Sequence, residues 1–168
     1  MNLFILDFQP VQAAQFNCDS HIRSGMIETV AMMGFAYDDG DFEPWKWLSH
    51  KDRHYNHPMA RWIRNSRQNF DWTIQHAYGL AYEFEYRFEK VHKCKTYLDW
   101  ISLRLPMNNL PDTRQTDPPR CFGVFKELVG VTDNAVYDYR RYYQLAKRHL
   151  AKWSKREVPD WFRYDSYA

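Results

Sequence analysis

No stretch of this chain comes near the roughly 18 apolar residues of a membrane-spanning helix, so the sequence excludes that role. Cysteine is scarce, and Cys18, Cys94 and Cys121 form no even, closely spaced framework. They read as reduced thiols rather than as a disulfide scaffold. Glycine is scarce too, at six residues, and none builds a phosphate-cradling loop or a G-x-G-x-x-G turn. G-x-S-x-G and H-E-x-x-H are missing as well, which leaves kinase, Rossmann, hydrolase and zincin readings unsupported. The opening segment Met1–Asp7 has no basic region and too short an apolar stretch for a signal peptide, so the expected location is the cytoplasm. An excess of charge of one sign is also lacking: a net charge of +2 names no partner by itself.

Apolar residues make up 45% of the chain and charged residues 26%, the balance of a globular protein. A length of 168 residues suits one domain with its own core. The periodicity predicts a compact, all-α, single-domain helical bundle over residues 1–168, with irregular loops and an aromatic C-terminal tail. Residues 3–6 read as extended. Pro10 suits the first turn of a short helix that continues to Phe16. A second helix is expected from Asp19 to Phe35, burying Ile22, Met26, Val30 and Met33. Residues 37–56, with Trp45, Trp47 and His50, read as a loop folded over something. Pro58 to Asn65 is a further short helix. A long helix follows from Arg67 to Lys93, its stripe running from Phe70, Ile74, Ala77 and Ala81 to Phe84, Phe88 and Val91. Tyr97 to Leu103 is helical again, and four prolines make residues 106–120 an irregular surface loop. The last long helix is expected to start at Thr132 as N-cap, with a Val131–Val136 staple across the cap, and to stop at Pro159. Val136, Tyr143, Ala146, Leu150 and Trp153 would be its buried stripe, and Trp161, Phe162, Tyr164 and Tyr167 form the tail.

Charge is unevenly distributed. Asp38, Asp39, Asp41 and Glu43 form an acidic patch; Arg140, Arg141, Lys147, Arg148, Lys152, Lys155 and Arg156 form a basic one. The basic patch is either a solvated helix face or a phosphate-contacting surface. Aromatics reach 18%, enough to fill a core and still supply base-stacking platforms. On the second helix Cys18, His21, Gly25 and Glu28 recur at steps of three, four and three, so they share one face. A carboxylate and an imidazole flanking a bare glycine suit proton transfer or the stabilisation of a developing positive charge. The plainer reading is a polar face with a packing glycine. His57-Pro58 with Arg61 and Arg64 can present an imidazole and two guanidiniums to a phosphate, or be an exposed basic turn. Glu83 and Arg87 can pair one turn apart, while Glu85, Arg87, Lys90 and His92 read as a surface charge ladder. Cys18-x-x-His21 and His92-x-Cys94 carry zinc-ligand types without the spacing of a structural zinc site, so no metal or other cofactor is expected.

Several runs resemble an uncharacterised phage-encoded family. They are Cys18-Asp19-Ser20-His21, Glu28-Thr29, and His57-Pro58 with Trp62, Ser66, Asn69 and Trp72. Glu83, Tyr86-Arg87, Lys90-Val91-His92, Tyr139, Tyr142-Tyr143 and Pro159-Asp160-Trp161-Phe162 continue the match along nearly the whole chain. That family is in turn similar to pyrimidine dimer DNA glycosylases of the phage endonuclease V type. Those are compact all-helical domains with a histidine seven residues before a catalytic glutamate, the spacing of His21 and Glu28. The resemblance implies that Glu28 stabilises charge developing at the sugar and that His21 touches DNA or substrate. It also implies that a tail such as Trp161-Phe162-Arg163-Tyr164 lies near DNA. The chain departs from that type at Asn2, where those enzymes expose an N-terminal threonine, and at Ile27 and Ala31, where they carry arginines. Ser24 stands where the phage family carries lysine.

The expectation is thus a DNA-acting enzyme resembling a base-excision glycosylase, with duplex DNA as partner and no membrane. Arg140, Arg141, Arg148, Lys152, Trp161 and Arg163 would contact DNA; Gly25, His57, Arg61 and Arg64 would bind substrate; Glu28 and His21 would be catalytic. A second reading is a phage protein that binds or modifies a free nucleotide or nucleotide signal. A third is a non-catalytic protein-interaction module.

Overall fold

A computed structural model describes residues 2–38, 41–46, 54–106 and 108–163, and of these the side chains of residues 45, 46 and 128 are left aside. The features expected at Asp39, Trp47, His50, Tyr164 and Tyr167, and at the Trp45 side chain, lie outside the described residues.

The described residues form an all-α fold: α1 Pro10–Phe16, α2 Asp19–Gly34, α3 Pro58–Arg64, α4 Arg67–Phe88, α5 Lys95–Leu103, α6 Lys126–Val129, α7 Ala135–Ala146 and α8 Asp160–Arg163. Short 3-10 turns cover Glu43–Lys46, Gly123–Phe125 and Arg148–Leu150. No helix among the described residues is long and apolar enough to cross a membrane.

The central element is α4. Ser66 caps its start, its hydroxyl accepting the Gln68 and Asn69 backbone N–H groups. Neighbours pack on more than one of its faces, α1 and α2 most closely, with α3 and α5 beside them. It therefore buries Trp72, His76 and Glu83 as well as Phe70, Ala77 and Ala81. Gly79 lets α1 come close: a Cβ there would lie 2.7 Å from the Ala14 Cβ. The helix stops earlier than its apolar stripe suggests, because Glu89 takes a left-handed conformation (φ 55) at its C-cap. Val91, expected in the stripe, is consequently past the end and exposed.

On α2 the expected face is observed, with Ile22, Met26, Val30 and Met33 fully buried. One hydrophobic cluster joins these residues to the N-terminal run Leu3–Leu6 and to Tyr143, Trp153 and Phe162 at the other end of the chain. The proline-rich loop is pinned rather than loose. Asn69 donates to Trp62 O at 2.7 Å and accepts the Thr116 N–H at 3.0 Å, and the Trp62 indole N–H donates to Thr116 O at 3.0 Å.

The C-terminal third corrects the sequence expectation. The last long helix begins at Ala135 with Asn134 as its cap, the Asn134 carboxamide accepting the Tyr137 N–H. Thr132 instead gives its N–H and hydroxyl to buried Asp138, and Val131 is exposed, so no staple forms. The helix ends at Ala146 rather than near Pro159. The following segment is held across the α1–α2 junction, with Trp153 Nε1 donating to Phe16 O at 3.0 Å and Ser154 Oγ donating to Asp19 Oδ2 at 2.6 Å. A continued helix would carry both side chains away from those partners.

A buried ionic network closes the base of α4. The Arg87 side chain, expected in a surface ladder, is fully buried. It donates to Glu83 Oε2, Asp19 Oδ1, Asn17 O and Gln15 O between 2.8 and 3.2 Å. Arg156 completes the pairing of Glu83 at 2.6 Å. Burial follows because the α1–α2 turn and residues 152–156 both cover this end of α4.

Candidate functional site

The polar face of α2 opens into a cleft of about 660 Å³, which falls in the usual range for small-ligand sites. His21, Gly25 and Glu28 lie along one wall, one helical turn apart. His57, at the start of α3, lines the same cleft. Its Nδ1 accepts the Met59 N–H at 3.2 Å, which fixes the ring as the cap of α3. Burial holds the His57 pKa below the usual histidine value.

The N-terminal segment supplies the next part. Asn2 N donates to Glu28 Oε2 at 2.7 Å, a backbone hydrogen bond that fixes the carboxylate in the wall. The Asn2 carboxamide donates to Cys121 O at 2.9 Å and joins this segment to the opposite wall. That wall is residues 120–125, positioned by the Tyr139 hydroxyl donating to Pro119 O at 2.7 Å. Arg120 lines the cleft, but its guanidinium is held by Asp117 and Asp138. Burial pushes the Cys121 thiol upward, which disfavours the reactive thiolate.

Aromatic faces complete the enclosure. Phe122 stacks on Tyr142 with ring centroids 4.8 Å apart, and Phe4 stacks on His21 at 4.3 Å. Lys147, just past the end of α7, also lines the cleft, with its ammonium 5.5 Å from the Tyr142 ring.

The protonation of His21 follows from its partners. Burial raises the Tyr143 hydroxyl pKa well above its ordinary value, so the phenol keeps its proton. The phenol oxygen accepts the Cys18 N–H at 3.0 Å and lies 2.5 Å from His21 Nδ1, and we assign its hydrogen to that nitrogen. Nδ1 is then an acceptor, and the ring proton sits on Nε2. Burial, aided by the positive charges of Lys147 and His149, lowers the His21 pKa to about 4. At neutral pH the imidazole is therefore uncharged and offers an N–H donor. That geometry suits holding an acceptor oxygen more than removing a proton.

Gly25 has two roles. It lines the cleft, and a Cβ there would lie 3.3 Å from Leu80 Cδ1, so it also seats α2 on α4.

Other expected residues lie elsewhere. Arg61 is exposed on α3 outside this lining. Arg64 donates to Tyr55 O at 2.7 Å and stacks on that ring at 4.0 Å. Arg140 is committed to Leu6 O at 2.8 Å and Asp7 at 2.9 Å, and it braces the N-terminal segment. Trp161 is half-buried against Phe16 and Tyr143, and Arg163 pairs with Glu157. Arg141 is half-buried and Arg148 exposed; neither lines the cleft. Lys152 lines an adjoining cleft.

The aromatic and cationic parts of the cleft, Phe4, Phe122, Tyr142 and Lys147, were not singled out as site residues from sequence. Lys147 stood in the basic patch and Phe4 in the N-terminal apolar run, but no spacing ties either to α2. Among the described residues no group of three or more His, Cys, Asp or Glu side chains is placed to hold a metal ion. Comparison with known protein families, with curated proteins and with solved structures finds no match to this chain.

Proposed function

We propose that this protein acts on a nucleotide of DNA, in the manner of a base-excision glycosylase, with the cleft beside α2 as its active site. The observation that carries this reading is the fixed carboxylate of Glu28, held by the Asn2 N–H at 2.7 Å in a cleft with the His21 donor and stacked aromatic rings. Phe122 and Tyr142 are buried against each other and give the cleft a stiff aromatic wall, at whose edge a base taken out of the duplex would sit. His21 Nε2–H holds an oxygen of the base or of its phosphate. Glu28 stabilises the positive charge that develops on the sugar as the C1′–N bond breaks and the bonding pair leaves with the base. An incoming nucleophile, water or a protein amine, then bonds to C1′ and gives up a proton. The histidine–glutamate spacing shared with endonuclease V-type glycosylases supports the same assignment.

The test is base release from labelled duplexes carrying a panel of damaged and modified pyrimidines, comparing wild type with Glu28→Gln. Release should fall by about a hundredfold or more in the variant while DNA binding persists. Borohydride trapping of a protein–DNA adduct tells an amine nucleophile from water. A wild-type protein that neither binds DNA nor releases a base from any substrate refutes the reading.

The size of the cleft and the net charge of +2 favour a second reading, in which the ligand is a free nucleotide or nucleotide signal. A thermal upshift with mononucleotides and none with DNA would select it. The polar lining weighs against a pure protein-interaction module, which would present a large apolar patch instead.

A further inference from the structure

A second cleft, of about 570 Å³, adjoins the first along α2. The two share Ser20 and Ser24, one helical turn apart on α2, so they meet at these residues. The second is flanked by Arg23 and Lys152, and neither has an ion-pair partner among the described residues. The Arg23 guanidinium rests on the Phe88 ring at 4.4 Å, which orients it without neutralising it. Asp19 also lines this cleft, but its carboxylate already accepts from Arg87, from the Ser154 N–H and from the Ser154 hydroxyl. Its charge is spent inward. Lys147 lines the first cleft and adds a further cation there. The trough is therefore cationic and hydroxyl-lined beyond the nucleotide cleft, where a lone nucleotide has nothing left to contact.

We propose that the two clefts form one track for a single nucleic-acid strand, with the target nucleotide in the first and the adjoining phosphodiester held in the second by Arg23, Lys152, Ser20 and Ser24. This rests on the reading of the first cleft as a nucleotide site and adds where the neighbouring phosphodiester of the strand is held. Two cations set beside two hydroxyls provide the charge neutralisation and the hydrogen bonds that a phosphodiester takes. The basic residues that matter then flank α2, rather than the aromatic tail.

Fluorescence anisotropy with labelled thymidine mononucleotide, dinucleotide, tetranucleotide and octanucleotide, at several salt concentrations, tests this. Single strands remove the cost of opening a duplex. Wild type should bind more tightly as the probe lengthens from mononucleotide to tetranucleotide. Lys152→Ala and Arg23→Ala should each weaken tetranucleotide binding several-fold and lower its salt slope by about 1, with the loss growing with probe length. Both side chains are exposed, and unchanged melting of the variants shows that the fold is intact. Mononucleotide binding with no gain on lengthening overturns the track and keeps the nucleotide site. Length-dependent binding that ignores both substitutions places the strand elsewhere and also overturns it. Failure of wild type to bind any probe overturns the track and leaves the first cleft to be judged by base release from duplex DNA.

Discussion

Tyr143 governs the chemistry of a residue it does not adjoin in sequence. Its hydroxyl is fully buried, takes the Cys18 N–H and pairs with His21 Nδ1, to which its hydrogen is assigned. Tyr143→Phe leaves both partners without this contact and should cost about 1–3 kcal/mol of stability, read by thermal or urea melting. It also frees His21 Nδ1 to take the ring proton. Nitrogen NMR of the imidazole should show Nε2 protonated in wild type and a mixture of tautomers in the variant. A wild-type ring protonated on Nδ1 would refute the donor role of His21. The polar residues of α2 were legible in the sequence because steps of three and four place them on one helix face. The tautomer was not, since its determinant lies 122 residues away and only packing brings it to the ring.

At the scale of elements, two contacts decide how α4 holds its neighbours. Gly79 permits the close crossing of α1, and alanine there would meet the Ala14 methyl and Val11 backbone rather than a flexible side-chain tip. Alanine is the better helix former by about 1 kcal/mol, but the clash should prevail. Gly79→Ala is expected to destabilise by about 1–3 kcal/mol in urea titrations. Gly25→Ala should be milder, because only Leu80 Cδ1 has to give way. Arg87→Met removes the partner of two buried carboxylates and two backbone carbonyls. It should cost about 3–5 kcal/mol, and a loss under 1 kcal/mol would show that the network adds little. The Glu83–Arg87 spacing was readable as a helix pair; its burial was not, because the covering segments come from residues 15–19 and 152–156.

The whole molecule should show a marked acid dependence. His21 and His76 are kept neutral in the fold, with pKa lowered from 6.5 to about 4 and about 3 respectively, burial being the main cause in each. His76 lies against Trp72 at 5.1 Å, with no hydrogen-bond partner for either ring nitrogen among the described residues. Below 6.5 the unfolded chain binds protons at these positions that the folded one refuses, so stability rises with pH there. The contribution is fully present above 6.5 and is lost as pH falls toward 4, with about 3 kcal/mol from His21 alone. Melting temperature measured between pH 7 and 4 should fall steeply. His76→Phe, which keeps an aromatic ring on Trp72, should flatten the curve and raise stability at pH 5. An equally steep curve in that variant would exclude His76 as a source.

Local pattern alone determined the helical class, the extents of α1, α2 and α3, and the alignment of His21, Gly25 and Glu28. Periodicity and capping act within a few residues, and these features need nothing more. Tertiary structure decided where the last helix breaks, which arginines are buried and what stands opposite α2. Lys147 reaches the cleft only because α7 ends at Ala146, and α7 gives way there to a segment held by Phe16 and Asp19. Arg140 leaves the basic patch for Asp7. Both outcomes depend on partners more than 130 residues away in sequence. Charge and apolar spacing name the residues available for such contacts, but only the packed chain determines which of them meet.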